Sequence, residues 1–440
     1  MVKNSPNIPE TSSNFCLNLT SCALFFFAVA WLKDLFPRLE TVSLVLAGLV
    51  ISVIPLWIYD VLFLRVQQRP SAGIKGNPGQ PDLKRIVVKL IGLYSTFLFI
   101  LFIYKFNPVY YVSQNAADFY GLFLSVIERC APWILIGSAV YFWFVDRRQK
   151  DPYDEYWQVG CLLTGRFKEV NRIVLAEYGR SWFIKAFFTP FMFGLLVNYT
   201  DALHGWNWDG KSFLPLYDHL LDIFYAVDIL FGVMGYVLAL RILDTHIQST
   251  EPTLLGWVSC LACYSPFYAI FGIGLLPPQN EQTWDVWLAA HPALFYACGF
   301  VIIVLSLIYA LATVAIGYRM SNLTYRGLIT SGPYRFTKHP AYVSKVASWW
   351  LVSLPFLSTQ GAKVAVIHTL SMIVITLIYY IRAKTEENHL SNYPEYVEYA
   401  NWINEHGLFA SLGRMFPALQ YSEQKAKKSK SVVWFKKIHK

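Results

Sequence analysis

The chain has 440 residues, 55% of them hydrophobic and 15% charged, with a formal net charge of +9. Soluble domains usually carry about 25% charged residues; here the charges gather in short clusters between apolar runs of about 18 to 25 residues, long enough to cross a bilayer. Composition therefore argues against a sizeable soluble domain. It also argues against nucleic acid as the reason for the positive charge, because Lys and Arg beside membrane spans mark the cytoplasmic face and anionic headgroups.

In chain order, the apolar runs lie near 15–32, 42–64, 86–105, 121–145, 182–200, 218–240, 253–275, 293–317, 345–358 and 363–382. The first contains the small-residue triplet Ala28-Val29-Ala30, but a single lysine precedes Phe15 and the run is long for a secretory signal, so it reads as a retained span. Residues 66–85, rich in Gly, Pro and Gln, read as a loop. The ninth run is short and ends at Pro355, which predicts a tight helical hairpin with the tenth. Aromatic residues make up 17% of the chain, and many Trp and Tyr fall near the ends of the runs, where an aromatic belt anchors.

Loop charge orients the runs. Lys and Arg crowd 65–89, 146–185, 318–345 and the tail from Lys425 to Lys440, whereas 106–120 and 276–292 have none and 201–217 has only Lys211. With ten spans the basic segments and both termini share one side, the cytoplasmic one. The predicted fold is an all-α, polytopic transmembrane bundle of about ten spans. It divides into an N-terminal membrane region over 1–292, a core over 293–410 and a basic tail over 411–440.

Asp60, Glu128, Asp222 and Asp228 lie inside the runs, where an unpaired charge in hydrocarbon is costly. Asp228 lies about 15 Å into its helix at 1.5 Å per residue. Arg129 and Arg241 are candidate partners; the acids either line a polar pocket or pair between helices. The seven cysteines lack a disulfide framework, and Cys260 and Cys263 read as packing within an apolar run. The nine histidines show neither H-x-x-x-H nor H-E-x-x-H spacing, and no Walker-type or Gly-x-Gly-x-x-Gly loop is present, so neither a metal centre nor nucleotide hydrolysis is expected.

The densest polar signal is Ser321–Lys345, where Gly332-Pro333 and His339-Pro340 mark two breaks around Tyr334, Arg335, Phe336, Lys338 and Tyr342. A segment this polar and aromatic at a membrane surface suits a ligand with a charged end and a flat ring. Its counterpart follows the tenth run: Arg382, Glu386, Glu387 and His389, then Tyr393, Tyr396 and Tyr399. Arg382 and Glu386 are four apart and share a helix face, which predicts a salt bridge. Glu387 points about 100° away and is left for another partner. The hairpin would bring both segments to one membrane mouth.

Gly332-Pro333-Tyr334-Arg335, then His339-Pro340-Ala341-Tyr342, a helical hairpin and Glu386-Glu387 resemble the isoprenylcysteine carboxyl methyltransferase and phospholipid methyltransferase group of integral membrane enzymes over about 293–400. Ser321-Asn322-Leu323-Thr324 and the stretch from Glu251 to Trp257 are similar to uncharacterised bacterial members of that group. The resemblance implies S-adenosylmethionine at the cytoplasmic surface, with Tyr334, Arg335, His339, Pro340, Tyr342, Glu386 and Glu387 as cofactor-binding residues and Arg382 and Glu386 as catalytic ones. In that reading the glutamates hold ribose hydroxyls or the amino group, Arg335 and Lys338 hold the methionine carboxylate or a lipid headgroup, and Arg382 orients the glutamates.

The implied acceptor is a membrane lipid, a prenylated group or another membrane-embedded molecule. The implied setting is a multi-pass protein of the bacterial inner membrane, or of the endoplasmic reticulum in a eukaryote. Lys338 stands where the group usually has Arg, Ser344 where it has Gly, and Tyr393-Pro394 where it has Phe-Gly. Two other readings stand beside this one. An NADPH-dependent sterol or enone reductase shares the C-terminal architecture, although Lys384-Thr385-Glu386-Glu387 departs from its Arg-Asp-Glu signature. A transporter or lipid-binding protein would instead depend on Asp222 and Asp228.

Overall fold

In a computed structural model, residues 8–106, 114–205, 210, 212–270 and 282–422 are described. The segments 106–120 and 276–292 lie partly outside these residues; Lys211 and the tail 425–440 lie wholly outside.

The described chain is mostly helical, with almost no sheet. Helix α1 (Phe15–Leu35) starts where the Asn14 side chain accepts from the Leu17 N–H at 3.1 Å, satisfying one of the orphan amides of the first turn. It packs on α2 (Thr41–Ile58), which runs on into a π-turn at Tyr59–Phe63. Next come α3 (Leu83–Phe106), α4 (Gln114–Asp146), the short α5 (Glu155–Leu163), α6 (Arg172–His204) and α7 (Phe213–Val237). A two-stranded antiparallel sheet joins β1 (Ser249–Thr250) to β2 (Thr324–Tyr325). The remaining helices are α8 (Leu254–Leu261), α9 (Phe267–Ile270), α10 (Trp284–Trp287), α11 (Pro292–Ile316), α12 (Pro340–Ser353), α13 (Ala362–Leu390), α14 (Pro394–His406) and α15 (Ala410–Met415).

Among the described residues eight helices are long and apolar enough to cross a membrane, fewer than the ten predicted. The two runs without a full-length helix are 253–275 and 345–358. In the first, α8 and α9 are separated by a turn containing Pro266, whose missing N–H cannot extend a helix. In the second, α12 has 14 residues, about 21 Å at 1.5 Å per residue, against about 30 Å of hydrocarbon. Leu354, in the left-handed region at φ 37°, ends it just before Pro355.

Helices α12 and α13 nevertheless form the predicted hairpin. His339 meets Glu387, Tyr342 meets Glu386, and Trp350 Nε1 donates to Thr376 Oγ1 at 3.0 Å, an antiparallel register along both helices. The apolar core lies between α6 and α7, where Phe188, Met192, Leu196, Leu230 and Phe231 are almost wholly buried. Helix α11 packs along α7, so the core predicted over 293–410 rests directly on the N-terminal helices.

The intramembrane acids part company. Asp60 and Asp228 are buried, Asp222 is half-buried and Glu128 is exposed. The expected arginine partners pair elsewhere: Arg129 with Glu40 at 3.4 Å, and Arg241 with Glu155 at 3.5 Å.

Candidate functional site

Pro340 occupies the first turn of α12, where a fixed φ and a missing N–H cost nothing. His339 is thereby held at the helix mouth, its Nε2 3.2 Å from Glu387 Oε1. Glu387 is not left open as predicted. Its Oε1 also faces Lys338 Nζ at 3.0 Å, and its Oε2 accepts from Lys384 Nζ at 2.8 Å. This carboxylate is a clamp that joins the His-Pro turn to the end of α13. Burial pushes the Lys338 ammonium below its ordinary pKa, and the charge of Glu387 opposes that shift.

Glu386 points the other way. Its Oε2 accepts from Tyr342 Oη at 2.8 Å, and the Tyr342 ring stacks parallel to His339 at 5.5 Å between centroids. The predicted Arg382–Glu386 salt bridge does not form. Arg382, buried, donates to Asn322 Oδ1 at 2.6 Å and lies 4.9 Å over the Tyr342 ring. Asn322 in turn donates its backbone and side-chain N–H groups to Tyr236 Oη at 3.0 and 3.2 Å. A side-chain relay thus runs from α7 through the turn after α11 to α13. The turn sits that close because Gly235 has no Cβ, which would otherwise meet the Met320 carbonyl.

Two volumes flank this hairpin. A chamber of about 380 Å³ is walled by Glu386, Arg382, Tyr342, Tyr334, Asn322 and Asp228 among others. On the far side of α12 and α13 an apolar groove of about 660 Å³ opens toward α14 and α15, with Lys338, Lys384 and Glu387 among its lining residues. His339, Tyr342, Tyr379 and Lys338 line both. The acidic pair is therefore split, Glu386 lining the chamber and Glu387 the groove.

Of the residues predicted for the site, His339, Tyr342, Tyr334, Arg382, Glu386 and Glu387 converge here. Tyr334 is held by Tyr399 of α14, whose Oη donates to the Tyr334 carbonyl at 2.7 Å. Arg335 is exposed and lines neither volume, and Pro340 acts through the backbone. Sequence reasoning missed Tyr236, Tyr264, Tyr309 and Lys345; a lysine opening an apolar run was the one visible signal among them. Among the described residues no group of three His, Cys, Asp or Glu could hold a metal ion.

Residues 288–395 match the phospholipid methyltransferase family model. No curated protein and no solved structure matches the chain. The matched region thus spans α11 to the start of α14, and it holds His339, Tyr342, Arg382 and both glutamates. Asp228 and Tyr264, which complete the walls of the chamber, and Tyr236, which accepts from Asn322, lie outside it.

Proposed function

We propose that the chain is an S-adenosylmethionine-dependent integral membrane methyltransferase acting on a lipid or another membrane-embedded acceptor. One observation carries the reading: within the matched region the His-Pro turn and the Glu-Glu helix, 48 residues apart, meet through His339 and Glu387 at 3.2 Å. The chemistry of the chamber fits the donor. Glu386 accepts from Tyr342 through Oε2, while its Oε1 has no protein partner among the described residues and suits an ammonium or ribose hydroxyls. Arg382 supplies a cation for a carboxylate, and Tyr264, Tyr334 and Tyr342 supply ring faces.

When bound, S-adenosylmethionine supplies a methyl group activated on a sulfonium. Displacement at that carbon is in line, so the protein contributes chiefly alignment and exclusion of water. Arg382 and Glu386 grip opposite charges, and the clamp at Glu387 fixes His339 so that the mouth keeps its shape. Whether the acceptor is of the isoprenylcysteine type belongs to the same proposal.

Purified protein titrated separately with S-adenosylmethionine and with NADPH tests the reading. Saturable binding of the first, with radiolabelled methyl recovered in a lipid fraction, is expected. Binding of NADPH alone would overturn it in favour of a reductase.

A further inference from the structure

The N-terminal helices also wall the chamber. Asp228 of α7 is 7% exposed, yet it lines the chamber together with Tyr225, Phe191 and Leu195. Its Oδ2 accepts from the Tyr309 hydroxyl of α11, and its Oδ1 accepts from Thr313 Oγ1 at 2.7 Å. Lys345 of α12 donates to Tyr309 Oη at 3.4 Å, its ammonium lying 4.9 Å over the Tyr309 ring. Three helices thus converge on one hydroxyl placed between a carboxylate and an ammonium. A purely structural buried acid gains nothing from facing a cavity, where its charge lacks full hydration.

We propose that Asp228, acting through Tyr309, is the proton acceptor for the methyl acceptor, and that the chamber therefore selects a protic headgroup, an amine or a hydroxyl, over a carboxylate. This rests on the methyltransferase reading. In the step, the lone pair of the acceptor nitrogen or oxygen forms the bond to the methyl carbon. The carbon–sulfur bond breaks with its electron pair going to sulfur. The acceptor's proton passes to Tyr309 Oη as the tyrosine proton passes to Asp228. A carboxylate acceptor has no such proton to lose and meets the negative charge of Asp228. The apolar side chains of Phe191, Leu195 and Ile229, which also line the chamber, suit the lipid portion of the acceptor.

The test uses the full chain in nanodiscs with radiolabelled S-adenosylmethionine and three acceptors: phosphatidylethanolamine, phosphatidylglycerol and farnesylcysteine. Wild type is expected to label the amine or the hydroxyl lipid and not the carboxylate. Asp228→Asn is expected to lose about 10²-fold or more in transfer rate, the usual scale of a lost general base, while donor affinity stays within twofold. Its residual rate should climb about tenfold per pH unit below the acceptor's own pKa, because only acceptor that has already lost its proton reacts. Tyr309→Phe, nearly isosteric, should reproduce the loss if the asparagine variant fails to fold. Transfer unchanged in both variants, a parallel loss of donor affinity, or preferential labelling of farnesylcysteine by wild type would overturn the inference while leaving the methyltransferase reading intact. Failure of wild type to bind the donor or transfer any label would overturn both.

Discussion

Among the described residues Glu387 gathers three cationic or titratable partners on one carboxylate. One buried carboxylate faces Lys338, Lys384 and His339 within 3.2 Å. Removing one member of a buried ionic cluster leaves the others desolvated and unpaired, at a cost of roughly 3–5 kcal/mol. Glu387→Gln is expected near the lower end, because Lys384 keeps contact with solvent. Thermal unfolding in detergent should show a clear fall in melting temperature, with donor affinity falling as His339 drifts. Weaker donor binding at an unchanged melting temperature would instead make Glu387 a direct ligand. Arg382 depends in the same way on Asn322, its hydrogen-bond acceptor. Asn322→Ala is expected to cost about 1–3 kcal/mol, the penalty for a buried donor left without a partner, and to weaken donor binding. Full donor affinity in that variant would show that Arg382 is positioned by its tyrosine stack alone.

Besides Asp228 in its middle, helix α7 reaches the site through its C-terminal turn. Gly235→Ala places a methyl against the Met320 carbonyl, and neither backbone can yield cheaply. Overpacking of this kind costs about 1–3 kcal/mol. Its specific consequence should be displacement of the 317–326 turn and a lower donor affinity. A variant that binds the donor as wild type does would separate this turn from the site.

How much of this was legible in the sequence depends on what each element requires. The long spans from α1 to α4, together with α6, α7, α11 and α13, were readable because bilayer thickness fixes a minimum apolar length. Runs 253–275 and 345–358 hold α8, α9 and α12 rather than one long helix each, because hydropathy counts apolar residues and does not register where a helix breaks. Pro266 and Leu354 do that in the structure. The Arg382–Glu386 spacing gave the right helix and the wrong partner. An i,i+4 pair is worth only about 0.2–0.5 kcal/mol, and a closely packed asparagine from a distant turn displaces it. His339 and Glu387 were found through an ordered motif pair. Asp228, Tyr309 and Lys345 belong to three helices, and no one-dimensional spacing relates them.

At the scale of the whole molecule, the site end of the bundle is a hydrogen-bonded layer. Lys75 N–H donates to the Arg148 carbonyl at 2.6 Å, Arg85 and Lys89 hold Asp146 at 2.6 and 2.8 Å, Arg69 lies 3.6 Å from Asp244, and β1 pairs with β2. Its loops carry many basic residues, and from the positive-inside rule we propose that this end faces the cytoplasm. The opposite end is aromatic and apolar: Tyr217 at the start of α7 packs on Trp284 at 5.1 Å, and Leu354 beyond α12 joins the same cluster. The tip of α12 is therefore level with the beginning of a full-length span, although the helix itself is short. A crossing completed by the turn after Ser353 accounts for this, with the aromatic cluster covering the exposed backbone groups. Single cysteines in a cysteine-free background decide it. Asn77→Cys, Asp151→Cys and His406→Cys, all at exposed positions, should react with an impermeant maleimide from the cytoplasmic side. Arg38→Cys and Gln360→Cys, also exposed, should react from the other. Labelling of Gln360→Cys from the cytoplasmic side would make α12 a re-entrant helix. The cofactor mouth and the hairpin tip would then share one face, and the sidedness argued from loop charge would hold only for the first six spans.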